Sequence, residues 1–236
     1  MQYCQSLKLT QHMQLILANR NYSSWSMRAW LAVRKSGLTF TETLLDLSDY
    51  PQFKQDIQSY SPTGLVPCLI LKGIPIHDSL AIVETIAEMQ PNLWPSDPLI
   101  RAKARAVSAE MHSGFVNIRR EMPMNIRANK TILLSNQCLK EIERIFTLWQ
   151  QCLLQKSSDQ PWLFGRFSIA DAMYAPIVTR FLTYGISAQN SQRQVIDEYM
   201  RIVMNDVDVK YWCEQARLEV ATMAIADDIG QQQVGE

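Results

Sequence analysis

The segment SPTGLVPCLILKGIPIHDSLAIVETIAEM, residues 61–89, carries the densest structural signals in the chain. Its first four residues are turn-forming, and the apolar run 66–71 predicts a strand with Pro67 at its start. A Lys-Gly turn then leads into a second short strand, 74–76, so the two strands predict a hairpin. Asp78 and the serine after it are capping residue types that come directly before a helical pattern.

The residues that precede this segment predict a β-α-β unit. The run 15–18 reads as a buried strand, 25–36 as a helix that stops at Gly37, and 39–47 as a second strand. This spacing favours a right-handed crossover and a parallel pair of strands. We expect a loop with irregular helix at 49–59. The whole order, β-α-β, loop, β-β-α with a proline beginning the third strand, is typical of an α/β thioredoxin-like domain.

The pattern changes after this domain. We expect a flexible N-terminal extension at 1–13, the thioredoxin-like domain at 14–91 and a proline-rich linker at 92–98. Apolar residues recur at three- and four-residue steps beyond the linker, which predicts an all-helical C-terminal domain over 99–236.

Composition excludes several classes of function. The 23 basic and 23 acidic residues balance, so no net positive field favours nucleic acid or an anionic membrane. No apolar run approaches the roughly 20 residues of a membrane span. The five cysteines and three histidines are scattered, which indicates idle thiols in a reducing, cytoplasmic setting and no metal site.

The strand start at Val66 and Pro67 is a candidate binding element. A proline there cannot donate a backbone hydrogen bond. If the peptide bond between the two residues is cis, the Val66 backbone turns outward and can pair with a peptide-like ligand. A plain turn into the strand is the alternative.

Asp78 and Ser79 form a second candidate, at a predicted helix N-terminus. Free amides and the helix dipole favour a carboxylate there. The Ser79 hydroxyl adds a donor and Asp78 can accept an ammonium group, so the pair suits the end of an α-amino acid. Simple N-capping by either residue is the alternative.

Ser23 and Ser24, between the first strand and the first helix, form a third candidate. A hydroxyl there can donate a hydrogen bond to a thiolate. A free thiol titrates at about 8.5, so stabilising its anion produces a nucleophile at neutral pH. Capping is again the alternative.

Together these segments resemble the cytosolic glutathione S-transferase superfamily, in particular its bacterial serine-type members. The resemblance rests on NYSSWSMRAWLAV, SPTGLVP and HDSLAIVETIAE, and in the C-terminal half on PWLFG and FSIADA. It covers nearly all of the chain from about Leu15 to Trp212. Ser168 and Asp171 in the last motif are similar to the family's buried N-capping box, which is structural.

The resemblance implies glutathione as the co-substrate, without a metal. By position, Val66 and Pro67 would meet its cysteinyl backbone, and Asp78 and Ser79 its γ-glutamyl end. Ser23 would face the sulfur, because counting back from the helical residues 29–31 puts it at the family's serine.

Ser24, one residue away, is the competitor for this role. The activated thiolate would attack a small electrophile or a peroxide, which implies a detoxifying transferase. Relatives of this kind are generally homodimers. Two other functions stay open. The zeta-type isomerase class has a similar Ser-Ser pair, but Trp25 stands here in place of its cysteine. A non-catalytic interaction module of the same fold is the other.

The segment RREMPMNIR, residues 119–127, is a candidate second-substrate site. Arg119 and Arg127 suit an anionic co-substrate, and Met124 suits an apolar pocket wall. Pro123 interrupts the helical pattern and predicts a kink. The alternative is a solvated helix face with a structural kink.

Overall fold

The first third of the chain folds around a four-stranded sheet, in a computed structural model that describes residues 13–156, 160–188 and 194–230. The strands are β1 (Met13–Ala18), β2 (Thr41–Leu45), β3 (Cys68–Leu71) and β4 (Ile74–Ile76). The helices are α1 (Ser24–Ser36), α2 (Tyr50–Gln58), α3 (Ser79–Met89), α4 (Pro98–Ser113), α5 (Val116–Glu121), α6 (Asn136–Gln155), α7 (Ile169–Thr183), α8 (Gln194–Asn205), α9 (Val207–Leu218) and α10 (Ala224–Asp227). A 3-10 turn occupies Pro91–Leu93.

The sheet has the strand order β2-β1-β3-β4. β1 pairs in parallel with β2 and antiparallel with β3, and β3 pairs antiparallel with β4. The predicted parallel pair and hairpin are therefore confirmed. β1 reads as a continuous apolar run because it is an inner strand: Leu15, Ile16 and Leu17 have no exposed surface.

The strand register brings the starts of two helices and the start of one strand to the same end of the sheet. β1 ends where α1 begins, and Cys68 at the start of β3 pairs with Ile16 near that end of β1. β4 runs antiparallel to β3, so its last residue, Ile76, returns to the same end and leads into α3. The start of α1, the residues before β3 and the start of α3 are thus neighbours.

Tyr50–Gln58 form a regular helix, so the expectation of a loop with irregular helix at 49–59 is right in placing helix there and wrong about its regularity. The Asp49 side chain accepts a hydrogen bond from the Gln52 amide at 3.1 Å and caps α2. Phe53 and Ile57 are buried in a small cluster with the neighbouring strands. These two apolar side chains, four positions apart, stabilise a helix that the polar composition hides.

The ends of the predicted segments differ slightly from the structure. Residues 1–12 of the predicted N-terminal extension lie outside the described residues, whereas Met13 is buried and begins β1. The predicted linker 92–98 ends with Pro98, which is already the first residue of α4. One hydrophobic cluster extends from β1 and α1 to α7 and α9, so the division into two domains stays a prediction.

α7 lies at the centre of the helical region and begins with the predicted capping box. The Asp171 carboxylate accepts hydrogen bonds from the Ser168 amide at 2.8 Å and from its hydroxyl at 3.0 Å. The pair is buried, and the structure confirms its N-capping role. An α/β sheet domain followed by a helical region, the predicted fold class, is confirmed.

The chain near Pro123 breaks where a kink was expected. α5 ends at Glu121, and the residue before a proline is disfavoured in helical conformation. Gly114 and Phe115 lie between α4 and α5, and Phe115 has a left-handed φ of 58°. The apolar residues that recur in this region therefore lie on the long helix α4, on the short helix α5 and on the segment that follows it.

Candidate active site

Ser23 is the N-terminal cap of α1. A turn positions it, because the Ser23 amide donates to the Asn19 carbonyl at 2.8 Å. Its Oγ donates to Ser26 Oγ at 2.8 Å and accepts from the Ser26 amide at 3.4 Å. Ser26 Oγ also accepts from the Ala18 amide at 3.1 Å. The Ser23 hydroxyl is therefore buried at the junction of β1 and α1.

Ser24 has a different environment although it is adjacent. It is the first residue of α1, and its Oγ accepts a hydrogen bond from Nη2 of Arg180 at 3.0 Å. Arg180 belongs to α7, so this bond joins the sheet domain to the helical region. One lone pair of Ser24 is thus committed to a cation of the protein.

The loop before β3 has the conformation on which the candidate binding element depends. The Val66–Pro67 peptide bond is cis. Val66 lies outside the ladder, which begins at Cys68, and is only partly buried. The turn before it is closed by the Gly64 amide, which donates to the Ser61 carbonyl at 3.0 Å.

The start of α3 carries a carboxylate and a buried hydroxyl. Asp78 Oδ1 accepts from the Leu80 amide at 2.9 Å, and Oδ2 lies 3.0 Å from Nε2 of His112. Ser79 has no exposed surface, and its Oγ has no hydrogen-bond partner. A buried hydroxyl without a partner at a helix N-terminus is costly unless a ligand completes it.

The second-substrate residues predicted from the sequence lie apart. The Arg119 guanidinium lies 4.6 Å from the centre of the Trp25 ring, beside the start of α1. The Arg127 guanidinium bonds the Tyr22 hydroxyl at 2.7 Å and the Ala221 carbonyl at 2.6 Å, away from Arg119. Met124 is only 1% exposed. Of the three, the structure brings Arg119 alone next to Trp25.

Comparison with known proteins identifies the family. The glutathione S-transferase N-terminal domain model matches residues 22–89, and the C-terminal domain model matches residues 104–200. The rat (Rattus norvegicus) maleylacetoacetate isomerase is 30% identical over 164 residues, 67% of this chain and 73% of that protein. The chain belongs to the glutathione S-transferase superfamily. The predicted membership of this superfamily is thereby confirmed, and with it a glutathione-dependent enzyme, whereas the narrower resemblance to bacterial serine-type members stays a prediction.

Solved structures agree with this glutathione S-transferase fold. A Bombyx mori protein, glutathione S-transferase unclassified 2, superimposes with a TM-score of 0.71 at 16% identity, covering 93% of this chain and 98% of its own. A glutathione transferase homolog from Burkholderia GL BGR1, crystallised with bound glutathione, has a TM-score of 0.64 at 20% identity, with coverages of 88% and 98%. At these identities the similarity establishes the fold.

A more distant relative within the superfamily has another name. The stringent starvation protein A homolog of Histophilus somni is 22% identical over 160 residues, 67% of this chain and 72% of that protein. The family thus includes proteins named for a process other than transfer or isomerisation.

Sequence reasoning missed three residues next to the site of this glutathione S-transferase. Arg28 and Arg180 are buried, and His112 packs edge-on against Trp25 with ring centres 5.3 Å apart. Arg180 had a detectable signal, because it is a basic residue inside the otherwise apolar stretch 172–181. Arg28 had none, because an arginine on an amphipathic helix normally faces solvent.

The described cysteines of this glutathione S-transferase are not candidate nucleophiles. All four are buried and unpaired. Burial raises the pKa of the Cys138 thiol to about 12 and those of Cys152 and Cys213 to about 11. Their thiolates are therefore scarce at neutral pH.

The described residues contain neither a metal-binding cluster nor a membrane-spanning helix. No cluster of three or more His, Cys, Asp or Glu side chains there is arranged to hold a metal ion. Nor does that part of the chain include a helix long and apolar enough to cross a membrane.

Proposed function

We propose that this chain is a serine-type glutathione transferase whose site lies at the end of the sheet where α1 and α3 begin. The observation that carries the proposal is the buried Ser79 hydroxyl, which has no partner and stands at the N-terminus of α3. The cis peptide bond before Pro67 lies at the same end of the sheet. A ligand with a carboxylate and an extended backbone suits this pair of features.

Each residue has a proposed task in holding glutathione. Ser79 and the amides of α3 bind the γ-glutamyl carboxylate, and Asp78 accepts its ammonium group. The Val66 backbone, at the turn made by Pro67, pairs with the cysteinyl residue. The Ser23 hydroxyl donates a hydrogen bond to the sulfur. This donation stabilises the thiolate, and the N-terminal dipole of α1 adds to the effect.

The reaction then consists of thiol addition or substitution. The thiol proton leaves to water, and the sulfur lone pair forms a C–S bond with an electrophilic carbon of a small molecule. An activated double bond passes its π electrons to the neighbouring carbon, which takes a proton from water; a halide substrate loses halide. Thiolate stabilisation and proximity supply the rate enhancement.

A glutathione-dependent isomerisation is the second candidate, because the rat maleylacetoacetate isomerase is 30% identical. In that reaction the thiolate adds to a cis double bond, the resulting single bond rotates, and elimination restores thiolate and a trans product. Trp25 stands where the zeta-type class has cysteine. Incubation with a maleyl keto acid and glutathione, followed by NMR for the trans isomer, distinguishes isomerisation from conjugation.

We also propose a cytoplasmic homodimer. The buried, unpaired thiols suit a reducing compartment. Leu65 and Ile74, which are 61% and 64% exposed, offer apolar surface on the loop before β3 and on the edge strand β4. Light scattering on the purified protein measures the oligomeric state directly.

Calorimetric titration of reduced glutathione tests the main proposal. We expect the Ser79→Ala variant to bind about ten-fold more weakly or worse, because it loses a hydrogen bond to a charged group. Ser108→Ala is the matched control: Ser108 is equally buried, but its hydroxyl bonds the Ala104 carbonyl within α4. If the wild-type protein does not bind glutathione, the proposal is wrong and the interaction-module function takes its place.

A further inference from the structure

Buried polar atoms without partners concentrate around Trp25. Among the described residues they include all three guanidinium nitrogens of Arg28, Nη1 of Arg119, Nδ1 of His112 and Oγ of Ser79. The remaining two, on Arg20 and Trp149, belong to other parts of the structure. A native fold normally satisfies such atoms, so a concentration of them marks a place suited to a polar ligand.

Four elements meet at this place. The Arg28 and Arg119 guanidinium carbons lie 4.5 and 4.6 Å from the Trp25 ring centre, and the His112 ring lies 5.3 Å from it. His112 in turn contacts Asp78 at the start of α3. We call Trp25, Arg28, Arg119 and His112 the Trp25 cluster. It adjoins the proposed glutathione site on the side of the helical region.

Arg28 differs from the two basic residues beside it. Arg180 donates to the Met122 carbonyl at 2.8 Å and to the Ser24 hydroxyl at 3.0 Å, and Arg119 donates to the Gly114 carbonyl at 3.0 Å. Arg28 has no exposed surface and makes none of these bonds. Burial lowers its pKa well below the usual value, and the charges of Arg119 and Arg180 lower it further, while the Asp78 carboxylate opposes this only in part and leaves the charge incompletely compensated.

An uncompensated buried cation is among the most destabilising features a core can contain. Arg28 would therefore be stabilised by a bound anion. A carboxylate suits this role, since the planar guanidinium offers parallel donors that match two carboxylate oxygens. Trp25 and Arg119 are partly exposed, and the guanidinium groups of Arg28 and Arg119 both lie against the Trp25 ring, so Trp25 and Arg119 form the solvent-facing side of the cluster, which we call its entrance.

We propose that Arg28, with Arg119 at the entrance, binds a carboxylate of the second substrate, so that the enzyme prefers electrophiles that carry one. The preference in turnover rests on the proposed function, whereas the binding of a carboxylate at Arg28 does not. The second substrate is the source because both carboxylates of glutathione are placed elsewhere: the γ-glutamyl carboxylate is assigned to Ser79, and the glycyl carboxylate lies at the other end of the extended tripeptide, beyond the cysteinyl residue that pairs with Val66. The guanidinium groups of Arg28, on α1, and of Arg119, on α5 of the helical region, both lie against the Trp25 ring.

Binding is tested without glutathione, using the unreactive acid 4-oxo-4-phenylbutanoate and its methyl ester. Calorimetry should show that the wild-type protein binds the acid more tightly than the ester. Arg28→Met should weaken binding of the acid at least about ten-fold and leave the ester unchanged. Arg120→Met is the control, because Arg120 is exposed and pairs with Glu121. Equal binding of acid and ester, or of the acid to wild type and Arg28→Met, overturns the proposal.

Stability separates this role from a structural one. Removing an uncompensated buried charge should raise the Tm of the ligand-free protein by at least about 2 °C in Arg28→Met. If this variant does not fold, Arg28→Lys keeps the charge but not the fork. It should bind the acid more weakly than wild type and still prefer it to the ester. A lysine variant without that preference contradicts the proposal.

Turnover links the site to the reaction. The substrates are the unsaturated acid 4-oxo-4-phenylbut-2-enoate and its methyl ester, each with glutathione. The ratio of kcat/KM for acid and ester should fall at least about ten-fold in Arg28→Met, while glutathione affinity stays unchanged. An unchanged ratio, or a parallel loss of glutathione binding, overturns the assignment. Failure of the proposed function looks different: neither compound reacts, yet the saturated acid still binds.

Discussion

Two adjacent serines at the start of α1 differ in what holds them. The Ser24 oxygen accepts a hydrogen bond from the Arg180 side chain, which belongs to another helix. Ser23 bonds only within its own turn, where its hydroxyl donates to Ser26 Oγ. Exchanging this local partner for a thiolate requires a rotation of one hydroxyl, whereas involving Ser24 disturbs a bond between two parts of the molecule.

Ser23→Ala and Ser24→Ala should therefore act differently. In Ser23→Ala we expect kcat/KM for conjugation to fall about ten- to a hundred-fold near neutral pH, because the thiolate loses a hydrogen bond. The pKa in the pH profile should rise, and glutathione affinity should change little. Ser24→Ala should lower the Tm and leave the profile in place. Thiolate absorbance of bound glutathione at different pH values measures the shift; a profile that moves in Ser24→Ala instead assigns the role to Ser24.

Residue-level prediction from the sequence succeeded where the cause was local. The capping residue type at Asp78 is a property of a few consecutive residues, and it caps α3 in the structure. The cis bond before Pro67, which the candidate binding element required, also occurs. Arg28 was missed because burial is decided by which helices pack around α1. Arg127 was paired with Arg119 from sequence distance alone, whereas its guanidinium contacts the C-terminal segment.

At the scale of elements, α7 begins with a buried side chain that can ionise, the Asp171 carboxylate of the capping box. The Asp171 carboxylate also accepts from the Leu163 amide and the Tyr199 hydroxyl, both at 3.1 Å. Burial nevertheless raises its pKa to about 6, although these bonds and those from Ser168 oppose the rise. The protonated form is therefore favoured more in the folded than in the unfolded chain.

The sign of the resulting pH dependence follows from the raised pKa. Stability from this protonation is fully present below pH of about 4 and is lost as the pH rises through about 6. Between pH 7 and pH 4.5, the wild-type free energy of unfolding should thus rise by about 2 kcal/mol relative to Asp171→Asn. Urea unfolding of both proteins at the two pH values measures this difference. An opposite change would show that the carboxylate is stabilised in its ionised form.

Elements were predictable when their apolar period was strong. The β-α-β unit, the hairpin and α3 have unambiguous runs of apolar residues and sharp turn signals. α2 was not recognised as regular because only Phe53 and Ile57 of its nine residues are buried. Pro123 gave a correct signal of interruption, but sequence alone does not distinguish a bend within one helix from the end of α5.

At the scale of the whole molecule, residues 219–227, which follow α9, hold the loop 19–22 before Ser23 by hydrogen bonds. We call this contact the clamp. Both oxygens of the Glu219 carboxylate accept hydrogen bonds from backbone amides of this loop, that of Arg20 at 2.7 Å and that of Asn21 at 3.0 Å. The Tyr22 hydroxyl donates to Asp227 at 2.7 Å. These partners are separated by about two hundred positions, so periodicity and turn signals contain no trace of the contact.

Glu219→Ala tests whether this clamp positions the site. The variant leaves two amides without their charged acceptor, so the free energy of unfolding should fall by about 2 kcal/mol. The loop that holds Ser23 should also loosen, lowering kcat more than glutathione affinity. Glu214→Ala is the matched control and should change neither quantity, because Glu214 is an exposed carboxylate on α9, five residues before Glu219. A Glu219→Ala protein that is less stable but fully active would show that the clamp holds the fold together without positioning Ser23.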